Sequence, residues 1–182
     1  MGRDTTMIAL DSNTMTYWID AMNSVTGPPA DPCGAEKSAL ARIFFWMPDG
    51  SGFNLTPTVE AEFRVIRDGA KLDDHVSWAL VMLCPVRPVP DPDEVEARAI
   101  ELAKFHKDAN DCRIVAQCEL TEIITLLTCD GPLLKNLSAE ARGAQLCRPT
   151  EYWARMSVEK GARPVRVPLE TNPMSRCDWW RW

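Results

Sequence analysis

An α/β fold, with a central and mainly parallel sheet between two helical layers, is predicted by three observations. Short apolar runs at residues 7–10, 123–128 and 146–147 stop abruptly at capping or turn residues, as buried strands do. They alternate with segments that carry helix-start signals, and this alternation builds parallel sheets covered on both faces. The 182 residues, 46% hydrophobic and 25% charged, match a globular chain with one ordinary core and a short appendage.

The elements follow in order. IAL ends in DSNT, a strand running into helix-capping residues. The breakers GPPADPCGA at 27–35 form a loop, residues 36–46 a helix, and MPDGSG a second loop. Thr56-Pro57 opens a longer helix, threonine as cap and proline at the first helical position. Residues 74–84 fit a helix or a buried strand equally well, because their apolar period is ambiguous. PVRPVPDPD at 85–93 is a stiff connection, and DPDE restarts a helix with Val95, Ala99, Leu102 and Ala103 on one face. The chain caps again at 108–111, runs a short helix to about residue 121, forms the strand at 123–128 and turns at CDGP. Leu146-Cys147 is an edge strand closed by Pro149.

Charge and cysteine usage exclude several classes. Residues 1–139 hold 21 acidic and 12 basic side chains, whereas residues 140–182 hold 5 and 8. An acidic body repels polyanions, so a nucleic-acid substrate requires a local basic surface or metal ions. The seven cysteines form no CxxC pair, and with only two histidines zinc-site spacing is missing; reduced thiols filling the core are expected. No apolar run nears the roughly 18 residues of a membrane span, and no signal-peptide core follows Arg3 and Asp4, so a soluble, cytoplasmic protein without membrane contact is expected. A GxxxxGK[ST] phosphate loop, a dinucleotide fingerprint and a recognisable Ser or Cys nucleophile are missing.

What remains is a set of carboxylates. Ligands of a parallel sheet gather at the carboxyl ends of its strands, and Asp11 and Asp130 stand where strands stop. Either alone reads as a helix cap or turn former; together they mark one crevice. In the helix from Pro57, Val59, Phe63 and Ile66 define the buried stripe, and Glu62 falls on it, where a carboxylate is costly unless paired or bound to metal. Glu60, beside Arg64 and Arg67, belongs to an exposed ion-pair face. Asp111 lies one turn before Ile114 and Val115 on an inner stripe with Cys118, and Asp108 is better explained as that helix's N-cap, although the two can exchange roles. Four inward acids repel one another unless cations gather them, and an all-oxygen set suits Mg²⁺ or Mn²⁺. Metal-assisted phosphoryl transfer or hydrolysis is the implied chemistry.

The order of these pieces resembles the PIN-domain family of metal-dependent ribonucleases, which includes toxins of bacterial toxin–antitoxin pairs. IALDSNT resembles the family's first acid, TPTVEAEF the helix carrying its glutamate, NDCRIVAQCE with ITLLTCDGPLL its later acids, and AQLCRPTEYW its closing strand. The resemblance spans about residues 7–153 and implies a PIN-like three-layer nuclease domain over residues 1–153, with a basic, Trp-rich extension over residues 154–182. It implies endonucleolytic hydrolysis of RNA phosphodiester bonds with Mg²⁺ or Mn²⁺ held by Asp11, Glu62, Asp111 and Asp130, while Asn13 and Thr128 orient carboxylates or water. The partners it implies are RNA, an antitoxin or other protein, and a second copy of the chain. The rival expectation is a non-catalytic PIN-like module that binds RNA or protein. An aspartyl-phosphate phosphatase is disfavoured because its D-x-D motif meets Asn13 at the third position. Trp179, Trp180 and Trp182 among arginines suit base stacking, or docking onto the body or a second subunit, two readings left open.

Overall fold

The structure, a computed structural model, describes residues 7–24, 27, 32–49 and 51–182. The opening MGRDTT, residues 28–31 of the breaker-rich loop and Gly50 lie outside the described residues. The chain runs β1 (Ile8–Leu10), α1 (Ser12–Asn23), α2 (Gly34–Trp46), β2 (Phe53–Leu55), α3 (Pro57–Arg64), α4 (Gly69–Met82), β3 (Leu83–Pro85) and α5 (Pro92–Leu102). It continues through α6 (Ala109–Glu119), β4 (Thr125–Leu127), α7 (Gly131–Leu137), β5 (Gln145–Cys147), α8 (Pro149–Arg155) and a 3₁₀ turn at Pro173–Arg176.

Five parallel strands in the order β3-β2-β1-β4-β5 form the sheet, and eight helices among the described residues flank it as a three-layer α/β/α fold. Each strand is three residues long, and β1, β2 and β4 are buried throughout. Parallel strands require crossovers, which the helices supply. From β1 the chain moves outward through β2 to β3, then returns to place β4 on the other side of β1. The sheet's direction of winding therefore reverses between β1 and β4, and at such a switch point the loops leave the carboxyl edge in opposite directions and open a crevice. Asp11 follows β1 and Asp130 follows β4.

Several short elements escape the sequence pattern, α8 after the closing Pro149 among them. Phe53–Leu55 is the strand β2, inside a stretch read only as loop and helix start. Residues 131–137 form the helix α7, with Asp130 as its cap and Pro132 in the first turn, where the sequence suggested only a turn. The ambiguous segment resolves into both expected forms, α4 followed by the edge strand β3. Ala103 leaves the α5 stripe as its exposed C-cap, while Val95, Ala99 and Leu102 are buried.

The core is aromatic on one side of the sheet: Trp18, fully buried, meets Phe44, Phe53 and Trp78 with ring centroids 5.4–5.5 Å apart. On α5 and α6, the nearly buried Arg98 and Glu119 pair in a fork, Nε to Oε2 at 2.6 Å and Nη2 to Oε1 at 3.0 Å. Cys112, Cys118 and Cys147 are buried free thiols.

The extension docks on the body, and α8 crosses the boundary expected after residue 153. Trp180 is fully buried 4.3 Å from Phe45 and 6.1 Å from Trp46, and Trp182 packs edge-on against Trp153 at 5.6 Å. Trp179 donates its indole N–H to the Ser24 carbonyl, and the backbone N–H of Arg166 donates to Phe45. Cations sit over rings here: Arg42 over Trp182 at 4.9 Å, Arg181 over Trp180 at 4.8 Å and Arg166 over Phe44 at 5.2 Å. Of the two readings of the tryptophans, the geometry is that of docking. No helix among the described residues is long and apolar enough to cross a membrane.

Candidate functional site

Asp11 ends β1 in extended geometry and caps α1, accepting the Thr14 N–H at 2.6 Å. Its backbone N–H donates to the Leu127 carbonyl at 3.2 Å, tying the ends of β1 and β4 together. Only 3% of Asp11 is exposed, and burial raises its pKa above the ordinary aspartate value. Hydrogen bonds from Thr128 and Thr14 oppose that shift, and repulsion from Asp130 adds to it.

Asp130 repeats the device at the end of β4, capping α7 by accepting the Leu133 N–H at 2.7 Å. Thr128, fully buried between the two strand ends, donates to Asp11 and accepts the Asp130 N–H at 3.0 Å. One hydroxyl thus spaces the two acids. The backbone N–H of Cys129 donates to Thr14 Oγ1 at 3.0 Å, closing the same junction from the α1 side.

Asp111 enters from the first turn of α6, whose N-cap is Asp108, the acceptor for the N–H groups of Asn110 and Asp111. Burial first, and repulsion from Asp108 and Asp130 besides, push the Asp111 pKa up to about 6, against the pull of His106. His106 Nε2 lies 2.7 Å from Asp111 Oδ2. Asp130 is therefore the shared neighbour, repelling Asp11 on one side and Asp111 on the other.

Glu62 reaches the crevice edge from α3, between the buried Val59 and Phe63 that fix the helix face. Its Oε2 accepts from the Ser12 hydroxyl, and its Oε1 accepts from Asn110 Nδ2 at 2.6 Å. Its partners are thus the residues next to Asp11 and next to Asp111. Glu60 pairs with Arg64 at 2.6 Å on the exposed face. Asn13, expected to orient the acids, is exposed and makes no hydrogen bond to them among the described residues; Ser12 takes that place one residue earlier.

Glu62 also forms the wall between two clefts. One, of about 380 Å³, is lined by Thr58, Asn110, Arg113 and Gln117; the other, of about 180 Å³, by Ser12, Asn13, Lys71 and His75. A larger apolar cleft of about 600 Å³, between α1, α2, α4 and the extension, has none of the acids in its lining.

A hard divalent cation is tested against this arrangement by its donors. They are all oxygen, and two of the carboxylates carry pKa values raised by burial and mutual repulsion, a charge pattern that a cation would relieve. Among the described residues no three His, Cys, Asp or Glu side chains already stand close enough to share one ion. Mg²⁺ commonly keeps several waters and takes only one or two carboxylates directly, so the donors fit it with water between.

The residues that sequence reasoning missed are Ser12, His106, Asn110 and Asn136. Ser12 and Asn110 adjoin chosen acids, and a search for hydrogen-bonding side chains beside them finds both. His106 carries no role in the sequence, where the two histidines serve only to exclude a zinc site, and its link to Asp111 depends on the turn between α5 and α6.

No protein-family model matches this chain, and no curated protein matches it.

Proposed function

We propose that the chain is a metal-dependent endoribonuclease of PIN-like type, hydrolysing RNA phosphodiester bonds at the crevice between β1 and β4. The observation that carries this reading is the convergence of Asp11, Asp111 and Asp130 at the sheet's switch point, with Glu62 joined to the neighbours of two of them. Bound Mg²⁺ or Mn²⁺ would supply Lewis-acid activation of water and of the phosphoryl oxygens. One or two of Asp11, Asp111 and Asp130 would hold it directly and the remaining acids, Glu62 among them, through water.

The remaining work belongs to the chain's own groups. Thr128 fixes the spacing of Asp11 and Asp130; Ser12 and Asn110 fix both oxygens of Glu62. Lys71 and Arg113 line the clefts on either side of Glu62, so a phosphodiester backbone crossing that glutamate meets a cation on each flank. This supplies locally the positive charge that the acidic body lacks. In the toxin form of the reading, a small antitoxin encoded beside this gene is the cognate partner.

The test is cleavage of single-stranded RNA by purified protein in Mn²⁺ or Mg²⁺. Asp11→Asn and Asp111→Asn should each lower the rate by at least about 10²-fold with the fold intact, since each removes a negative charge at nearly constant volume. Cleavage that survives a chelator, or full activity in both variants, sinks the mechanism.

The rival reading, a non-catalytic interaction module, is favoured by a different observation. On α4 only His75 is buried, although the helix carries Leu80 and Val81, 81% and 77% exposed. Tight binding of a protein or RNA partner, without turnover on any RNA, would decide for the module.

A further inference from the structure

The geometry points to His106 as the positioning residue for Asp111, acting through a side-chain relay Asn136–His106–Asp111 that joins α7 to α6; the use made of Asp111 rests on the nuclease reading above. His106 is 6% exposed in the turn after α5, where its backbone N–H donates to the Leu102 carbonyl at 3.1 Å. Its Nε2 stands 2.7 Å from Asp111 Oδ2, and its Nδ1 stands 3.3 Å from Asn136 Nδ2. An amide NH₂ only donates, so Nδ1 accepts and the ring proton sits on Nε2, aimed at the carboxylate. Asp111 Oδ2 is thereby held, and Oδ1 makes no hydrogen bond among the described residues.

The helix does not need His106 for its own sake. Asp108 already caps α6 by accepting from Asn110 and Asp111. What His106 adds is the direction of one carboxylate, in the way that groups behind metal ligands orient them. The neighbouring Asn110 donates to Glu62, so one helical turn carries both Asp111 and a partner of a second acid. Arg113 Nη1 donates to Asn110 Oδ1 at 3.2 Å and holds that amide in place.

The chain has two histidines, and they serve as mutual controls. His75 Nδ1 lies 2.8 Å from the Lys71 carbonyl, which only accepts, so a proton sits on Nδ1, and its Nε2 lies 2.9 Å from Thr16 Oγ1. Ring ¹⁵N spectra of the full metal-free chain near neutral pH should show opposite tautomers, Nδ1–H for His75 and Nε2–H for His106. A proton on Nδ1 of His106 would mean that Asn136 presents its oxygen instead, and it overturns the relay whether or not metal binds.

Mn²⁺ titration by calorimetry gives the second readout, on the wild type, His106→Leu, His106→Gln and Asp111→Asn, each first checked by thermal melting. His106→Leu should weaken Mn²⁺ binding by about 10–100-fold, and His106→Gln, which keeps a donor, should restore most of it. If His106→Leu does not fold, Asn136→Ala replaces it; that variant should mix the His106 tautomers and weaken Mn²⁺ by a smaller factor, and an unchanged spectrum and affinity overturn the inference. Binding lost in Asp111→Asn but unchanged in His106→Leu overturns the relay alone. No uptake by the wild type overturns the nuclease reading, together with the use assigned to Asp111.

Discussion

The crevice between β1 and β4 and the docked extension treat charge in opposite ways. Where the extension docks, Arg42 of α2 and Arg166 and Arg181 of the extension lie over aromatic rings, and Trp180 is fully buried. In the crevice, the buried Asp11 and the half-buried Asp111 are both repelled by Asp130, and hydrogen bonds from Thr128 and His106 oppose the repulsion without cancelling it. The first region is arranged for stability. The second holds a tension that a ligand would release, and such tension marks functional sites. Substitutions in the two regions should therefore differ in sign.

The largest effect belongs to the extension. Trp180→Ala should cost about 3–5 kcal/mol in denaturant unfolding, the range for emptying a buried tryptophan site. A cost below about 1 kcal/mol would show that the extension contributes nothing to the core. RNA affinity measured on the same variant at several salt concentrations separates a structural tail from a substrate-binding one.

Asp111→Asn should act the other way in the metal-free protein. Its folded pKa, pushed up to about 6, exceeds the ordinary aspartate value, so between those values the native state binds the extra proton. The stabilisation present below about pH 4 is lost as pH rises through about 6, and ionised Asp111 is a burden at pH 7. Neutral asparagine removes it and still accepts from His106. The variant should gain about 1 kcal/mol at pH 7, after discount for its partial exposure, and nothing near pH 4. A loss of stability at pH 7 would break the comparison. The smallest effect separates neighbours on one helix: Glu60→Gln should cost only about 0.3–0.5 kcal/mol by thermal melting, because its pair with Arg64 is exposed.

Where local pattern decides structure, the sequence was readable. Asp108 as a cap, Thr56-Pro57 as a helix start and the Val59–Phe63 stripe depend on residues within a turn of each other, and each is found in place. The acids at the ends of β1 and β4 follow from strand ends, which polar residues punctuate. By contrast β2 has three residues and draws its identity from pairing with β1 and β3. Residues 76–84 are apolar at every position but Ser77, so their period could not tell helix from strand. The His106–Asn136 contact spans 30 residues, and the contacts of Arg42 with Trp182 and of Arg166 with Phe44 each join residues more than 100 positions apart, beyond any periodicity.

The strand order also bears on how the molecule comes into being. β1 is central, yet its neighbour β4 pairs Ile8 with Thr125, so the two halves of the crevice are joined by one of the longest loops the chain closes. Contacts of such separation form slowly, and on a ribosome the first of them must wait for the last. A nascent chain that has emerged only through α5 carries Asp11 and Glu62 but neither Asp111 nor Asp130. The carboxylates meet only after most of the chain has left the ribosome, and assembly itself delays the site until then.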